Sequence, residues 1–192
     1  MRPVLCMITD RRRFGDAWER LLLERVEAAA RAGVHIIQIR ERDLEARALA
    51  RLVEACLHRI RHTAARVIVN DRLDVALAAG AHGVHLRGDS VPALRVREVA
   101  PALRLVGRSV HSAQEARAAE RAGGLDYLIA GTVYETGSKP GCSPCGIHTF
   151  SSIAASTALP VLAVGGVTRA RVDEVMAAGG AGIAGISLFA DV

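Results

Sequence analysis

Short apolar runs alternate with longer amphipathic stretches from one end of the chain to the other. The run 4–8 is followed by a stretch 18–31 in which Leu22, Val26, Ala29 and Ala30 recur at helical spacing, and Gly33 closes it as a C-terminal glycine does. The same alternation predicts strands over 34–40, 66–70, 83–86, 103–109, 126–130, 162–164 and 183–186. Between them the spacing predicts helices over 44–62, over 73–79, from Pro92 onward, from a Ser112 cap with Glu115 as its capping-box partner, over 149–156 and over 169–178. Strands joined by crossover helices imply a parallel sheet, and eight of them imply an α/β fold of the closed (β/α)8 TIM-barrel type, a single domain over 1–192. An open doubly wound sheet would place a Gly-x-Gly-x-x-Gly turn after the first strand, where Met7-Ile-Thr-Asp10 stands instead. The final helix reads as short or missing, which leaves the outer face of the last strand to be covered. Either the chain is truncated or a second subunit supplies the cover, and the latter alternative is a homo-oligomer.

Polar residues that interrupt the pattern fall at the strand ends. Gln38 and Arg40 are two apart and share one face of the second strand, with Arg42 following if the extension continues. Polar groups on a buried strand are costly unless they meet a ligand or each other. Asn70 and Asp71 end the third strand together, and Ser109 and His111 are again two apart on the fifth. Gly165-Gly166 ends the seventh strand, where a backbone without side chains lets N–H groups approach a phosphate, and Gly185 precedes Ser187 at the end of the eighth. The longest irregular segment leaves the sixth strand as Gly131-Thr-Val-Tyr-Glu-Thr-Gly-Ser-Lys139. Its glycines, hydroxyls and lysine suit a lid over a phosphorylated ligand; a solvated surface loop is the other reading.

Charge changes this picture little. Lys and Arg number 25 against 20 Asp and Glu, a net +5 scattered along helical stretches, with Arg11-Arg12-Arg13 as the one run, placed in a turn. With few aromatics to stack on bases, nucleic acid is not an expected partner, whereas an anionic small molecule is easily accommodated. Of four cysteines only Cys142 and Cys145 are close; without a second pair they read as plain loop cysteines, with structural zinc or a redox pair as minor alternatives. No apolar run is long enough to span a bilayer and none resembles a secretory leader, so the expected location is cytoplasmic, with reduced thiols and no membrane partner.

Seven motifs in order, Gln38-Ile-Arg-Glu-Arg42, Val69-Asn-Asp-Arg72, Gly83-Val-His-Leu86, Gly107-Arg-Ser-Val-His-Ser112, Tyr134-Glu-Thr-Gly-Ser-Lys139, Val164-Gly-Gly166 and Gly185-Ile-Ser187, together resemble the thiamine phosphate synthase and thiazole tautomerase superfamily. The synthase branch joins a pyrimidine methyl diphosphate to a thiazole phosphate and releases pyrophosphate with Mg²⁺. The resemblance implies that Arg40, Asn70, Ser109 and Lys139 hold the diphosphate, that Gln38 and Thr136 lie near the pyrimidine, and that Gly166 and Ser187 hold the thiazole phosphate. The family's metal site pairs the Asp of the Asn-Asp motif with an Asp in a Gly-Gln-x-Asp loop. Here that loop reads Arg87-Gly-Asp-Ser90, so the metal aspartate aligns with Ser90 and the nearest carboxylate, Asp89, is displaced by one.

This departure, together with Arg42 where synthases usually carry Lys, resembles the tautomerase branch, which isomerises a thiazole carboxylate phosphate by metal-free proton transfer and needs no cofactor. The leading expectation is therefore a tautomerase-like isomerase of thiamine biosynthesis. Gly165, Gly166, Gly185 and Ser187 would hold the substrate phosphate, and Arg40 and Lys139 its carboxylate. The branch's proton-transfer histidine aligns with Thr132, which leaves His111 as the candidate acid/base, or as a supporting hydrogen-bonded residue; His85, deeper in its strand, reads as structural. The alternative is a synthase in which Asp71 and Asp89 share Mg²⁺, and a third reading is a non-catalytic or regulatory protein that binds a phosphorylated ligand.

Overall fold

The alternation resolves into eight parallel strands, β1 (Val4–Ile8), β2 (Ile36–Ile39), β3 (Arg66–Asn70), β4 (Gly83–Leu86), β5 (Leu105–Val110), β6 (Tyr127–Gly131), β7 (Val161–Val164) and β8 (Gly182–Gly185). They pair in sequence order, and β8 closes onto β1 with Val4 opposite Gly182 and Cys6 opposite Ala184. The computed structural model describes residues 2–137, 141 and 143–189. Between the strands lie α1 (Trp18–Arg31), α2 (Ala46–Ile60), α3 (Leu73–Ala78), α4 (Ala93–Val99), α5 (Ala113–Ala122), α6 (Gly146–Ala154) and α7 (Val172–Ala177). This is the (β/α)8 barrel expected from the strand count.

The two faces of each strand divide the core in two, because successive side chains point to opposite sides. Inward residues form one cluster along the barrel axis, including Cys6, Ile8, Ile36, Ile68, Ile129 and Leu162. Their outward neighbours join the helices. Ile37, Ile39, Val67 and Val69 pack with Leu22, Val26, Leu52 and Val53 of α1 and α2, while Leu128, Ala130, Ala163 and Ile183 pack with Phe150, Ile153 and Val175 of α6 and α7. No helix among the described residues is long and apolar enough to cross a membrane.

Several boundaries move. The Arg11-Arg12-Arg13 run opens a 3₁₀ segment, Arg11–Ala17, rather than a turn, and its Trp18 neighbour stacks under the Arg11 guanidinium at 5.2 Å. β5 extends to Val110, one residue beyond the predicted end. Beyond β8 the chain makes a short 3₁₀ turn, Ser187–Phe189, and Phe189 packs into the cluster of α1 and α2 while Arg25 donates to its carbonyl at 2.8 Å. The outer face of β8 does not need a second subunit: Ile183, which points outward, is 1% exposed and is covered within the chain, in a cluster against which Leu188 also packs. The premise for a homo-oligomer is thereby removed.

Candidate active site

The carboxyl ends of the strands surround a cavity of about 500 Å³. Ile8, Ile129, Val164 and Ala184 give it apolar walls suited to flat rings, and polar groups enter from the strand ends. β2 delivers Gln38 and, one residue past the strand, Arg40, whose backbone N–H donates to Thr9 Oγ1 at 3.0 Å. Gln38 is 2% exposed, yet its carboxamide makes no hydrogen bond to the described residues.

Charge around the mouth is unevenly paired. Asp10 accepts two hydrogen bonds from Arg12, at 2.8 and 3.2 Å, and these hold its carboxyl below the usual range. Glu41, 4% exposed, accepts the Arg11 backbone N–H at 3.1 Å, and Asp43 pairs with the Arg11 guanidinium at 2.7 Å. Those carboxylates being engaged, Arg40 and Arg42 face the cavity with no ion pair among the described residues. Burial, then the positive charge of Arg42, lowers the pKa of Arg40, so an anion bound here would relieve both.

The opposite wall is built from glycine. Gly165 and Gly166 have φ of +94° and +62°, which side chains resist, and a Cβ on Gly166 would lie 2.3 Å from the Glu135 carbonyl. This close approach lets the chain leaving β6 continue to pair with β7, Val133 N–H donating to Val164 at 2.9 Å and Tyr134 N–H to Gly165 at 3.0 Å. Arg171 fastens the corner, donating to the Gly166 carbonyl at 2.9 Å and stacking on Tyr134 at 4.1 Å. Thr132 and Thr136 line the cavity from this segment, and Gly185 and Ser187 line it from the end of β8.

Asn70 and Ser109 also line the cavity, so the structure gathers eleven predicted positions around one space: Gln38, Arg40, Arg42, Asn70, Ser109, Thr132 and Thr136 with Gly165, Gly166, Gly185 and Ser187. Lys139 and Cys142 lie outside the described residues. His111 does not join the group. It lies one residue past β5, exposed, with Nδ1 2.7 Å from the Gly131 carbonyl, and Glu115 accepts its backbone N–H at 2.8 Å. The Ser112 hydroxyl accepts from Glu115 N–H at 3.1 Å, half of the expected capping box; the returning carboxylate reaches His111 instead of Ser112.

Asp71 and Asp89 stand beside the mouth rather than in its lining. Asp71, in the left-handed region at φ 63°, accepts a hydrogen bond from Ser90 Oγ and lies 3.6 Å from Arg87; Asp89 pairs with the same guanidinium at 2.7 Å. Arg108 straps this loop through the carbonyls of Arg87, Gly88, Ser90 and Val91. Asp10, Arg12, Asp43 and Arg87 line the cavity and were not anticipated from the sequence. A signal existed for Arg87, since it stands where the family motif has glycine and carries a charge into a strand-end loop.

Comparison with known proteins places this geometry. Residues 5–189 match the family described as thiamine monophosphate synthase. A thiamine-phosphate synthase of Roseiflexus castenholzii is 42% identical over 187 residues, 97% of this chain and 80% of that one. A protein of Geobacter sulfurreducens named putative thiamine-phosphate synthase is 43% identical over 184 residues, 95% and 84% of the two chains. Among solved structures, thiamine phosphate pyrophosphorylase from Pyrococcus furiosus superposes with a TM-score of 0.82 at 35% identity, covering 96% of this chain and 85% of that one. These findings overturn the tautomerase expectation: the relatives carry the name of a transferase, not an isomerase. The structure removes its mechanism as well, because His111, the imidazole on which it depended, points to the Gly131 carbonyl and not into the cavity.

Proposed function

The chain belongs to the thiamine monophosphate synthase family, and from that premise we propose that it is a thiamine-phosphate synthase. It joins a pyrimidine methyl diphosphate to a thiazole phosphate: a bond from the methylene carbon to the thiazole forms as the bond to the diphosphate oxygen breaks, and pyrophosphate leaves. The observation that carries this reading is one cavity with two different anion-compatible walls. The uncompensated Arg40 and Arg42 stand on one side and the Gly165-Gly166 backbone on the other, with apolar surface between them.

The division of labour follows. Arg40, Arg42, Asn70 and Ser109 take the diphosphate, where negative charge grows as the bond breaks and fixed cations and oriented dipoles stabilise it most. The unpartnered carboxamide of Gln38 meets the polar edge of the pyrimidine, with Thr136 nearby. Gly165, Gly166, Gly185 and Ser187 hold the thiazole phosphate. Thr132, at the second position of the loop after β6, forms part of the wall.

A family metal, Mg²⁺, fits the residues beside the mouth. Asp71 and Asp89 both turn a carboxylate oxygen toward one cation, the Arg87 guanidinium, so the chain itself places positive charge where the two acids converge. Among the described residues no cluster of three or more His, Cys, Asp or Glu side chains is arranged to hold a metal. Mg²⁺ commonly takes one or two carboxylates with waters and substrate phosphates, and Asp71 and Asp89 would supply the carboxylates. When bound, the ion supplies charge neutralisation to the diphosphate. The test is release of pyrophosphate from the two coupling substrates with and without Mg²⁺; no release from the paired substrates in either condition refutes the reading.

A further inference from the structure

Below the diphosphate wall, three polar side chains from three strands form a single file that ends in the cavity. Tyr127 on β6 is 4% exposed and its hydroxyl lies 3.1 Å from Nδ1 of His85 on β4. His85 is 2% exposed, and its Nε2 lies 2.9 Å from Oγ of Ser109 on β5, which lines the cavity. Space for this file comes from Gly107: a Cβ there would lie 2.1 Å from Tyr127 Cζ, so the phenol ring occupies the place of a side chain on β5.

Hydrogen-bond counting gives the file a direction. Burial, reinforced by the nearby charge of Arg108, pushes the pKa of His85 down to about 3, so the imidazole is neutral and carries one N–H. The Tyr127 hydroxyl has no other hydrogen-bond partner among the described residues, and the side chain belongs to the apolar cluster that includes Cys6, Ile36, Ile68 and Leu162. If Nδ1 carried the proton, the buried phenol would have an O–H with no acceptor, at a cost of about 1–3 kcal/mol. The satisfied arrangement has Tyr127 donating to Nδ1 and Nε2–H donating to Ser109. The Ser109 oxygen then receives its hydrogen bond from below, and its own proton is free for the cavity.

We propose that Tyr127 and His85 are positioning residues that fix Ser109 as a hydrogen-bond donor toward an anionic oxygen of the bound ligand. On the synthase reading, on which the identity of that ligand rests, the oxygen belongs to the diphosphate. With the opposite wiring Ser109 would spend its proton on His85 and present lone pairs to the anion. A donor oriented before binding needs no reorganisation when charge develops on the leaving group.

The experiment has two parts. ¹⁵N NMR of the histidine side chains in the unliganded protein, assigned with His85→Gln, is expected to show His85 protonated on Nε2 and bare on Nδ1; protonation on Nδ1 overturns the proposal. Calorimetry with inorganic pyrophosphate then reads the consequence. Tyr127→Phe is expected to weaken binding roughly threefold to tenfold, the worth of one ordinary hydrogen bond, and to have no further effect in a Ser109→Ala background. An equal loss in both backgrounds marks a merely structural role and overturns the proposal. If pyrophosphate does not bind the unmodified protein, the synthase reading falls, and the tautomer alone decides the wiring.

Discussion

The buried imidazole of His85 makes stability depend on pH in a window where few other groups contribute. In the unfolded chain the ring takes up a proton near its ordinary pKa of 6.5, whereas in the fold burial withholds it until about pH 3. Between those values the unfolded state binds more protons, so stability is full above 6.5 and is lost as the pH falls toward 3. Each pH unit well inside the window costs about 1.4 kcal/mol, so lowering the pH from 7.5 to 5 removes about 2 kcal/mol. His82 is also depressed, by its own burial and then by Arg66 and Arg104, and adds in the same direction. The depressed carboxyls of Asp10 and Asp74 contribute above their unfolded values and lose that contribution only at lower pH, outside the interval. Urea unfolding of the wild type and of His85→Gln at pH 7.5, 6 and 5 separates these sources. The variant starts less stable, having lost buried hydrogen bonds, but its decline from pH 7.5 to 5 is expected to be shallower by about 2 kcal/mol. Equal declines in the two proteins would refute the reasoning, because His85 would then be titrating in the fold.

Three further outcomes follow from the same geometry. Gly107→Ala drives a Cβ to 2.1 Å from the Tyr127 ring and is expected to cost about 1–3 kcal/mol in a thermal or urea melt, part of which the second-site change Tyr127→Leu restores. Arg40→Ala removes an uncompensated guanidinium and is expected to raise KM for the diphosphate substrate roughly tenfold to a hundredfold while leaving that for the thiazole phosphate near its wild-type value. Arg87→Ala frees Asp71 and Asp89 from a competing cation whose two exposed ion pairs are worth at most about 1 kcal/mol each, so calorimetric Mg²⁺ affinity is expected to rise by up to about thirtyfold, and Asp71→Ala to abolish the binding.

What could be read from one dimension was whatever depends on local period. The inward phase of Gln38 and Arg40, the glycine pair after β7 and the count of strands all follow from spacing within a few residues, and the cavity contains the residues those spacings selected. His111 escaped the same reasoning because β5 ends at Val110; past that point the Glu115 carboxylate on the backbone and the Gly131 carbonyl on the ring set its orientation, not the pleat. His85 was read as structural for being deep in its strand, yet its partners lie 24 and 42 residues away on neighbouring strands. Only the register of a closed sheet brings them together.

The acidic loop after β4 shows most clearly how a linear motif and a folded one diverge. Aligned residue by residue, Ser90 in place of an aspartate looks like a dismantled metal site, and that single position did much to favour an isomerase. In the fold, Ser90 Oγ donates to Asp71, and the carboxylate one residue earlier, Asp89, shares the Arg87 cation with Asp71. Two acids therefore converge on one guanidinium beside the mouth, with the four-carbonyl strap of Arg108 holding the loop that carries one of them. A motif records which residue stands at each position, whereas a hard cation responds to where oxygens are. Moving a carboxylate by one residue in a loop, unlike in a strand, need not move its charge to another face.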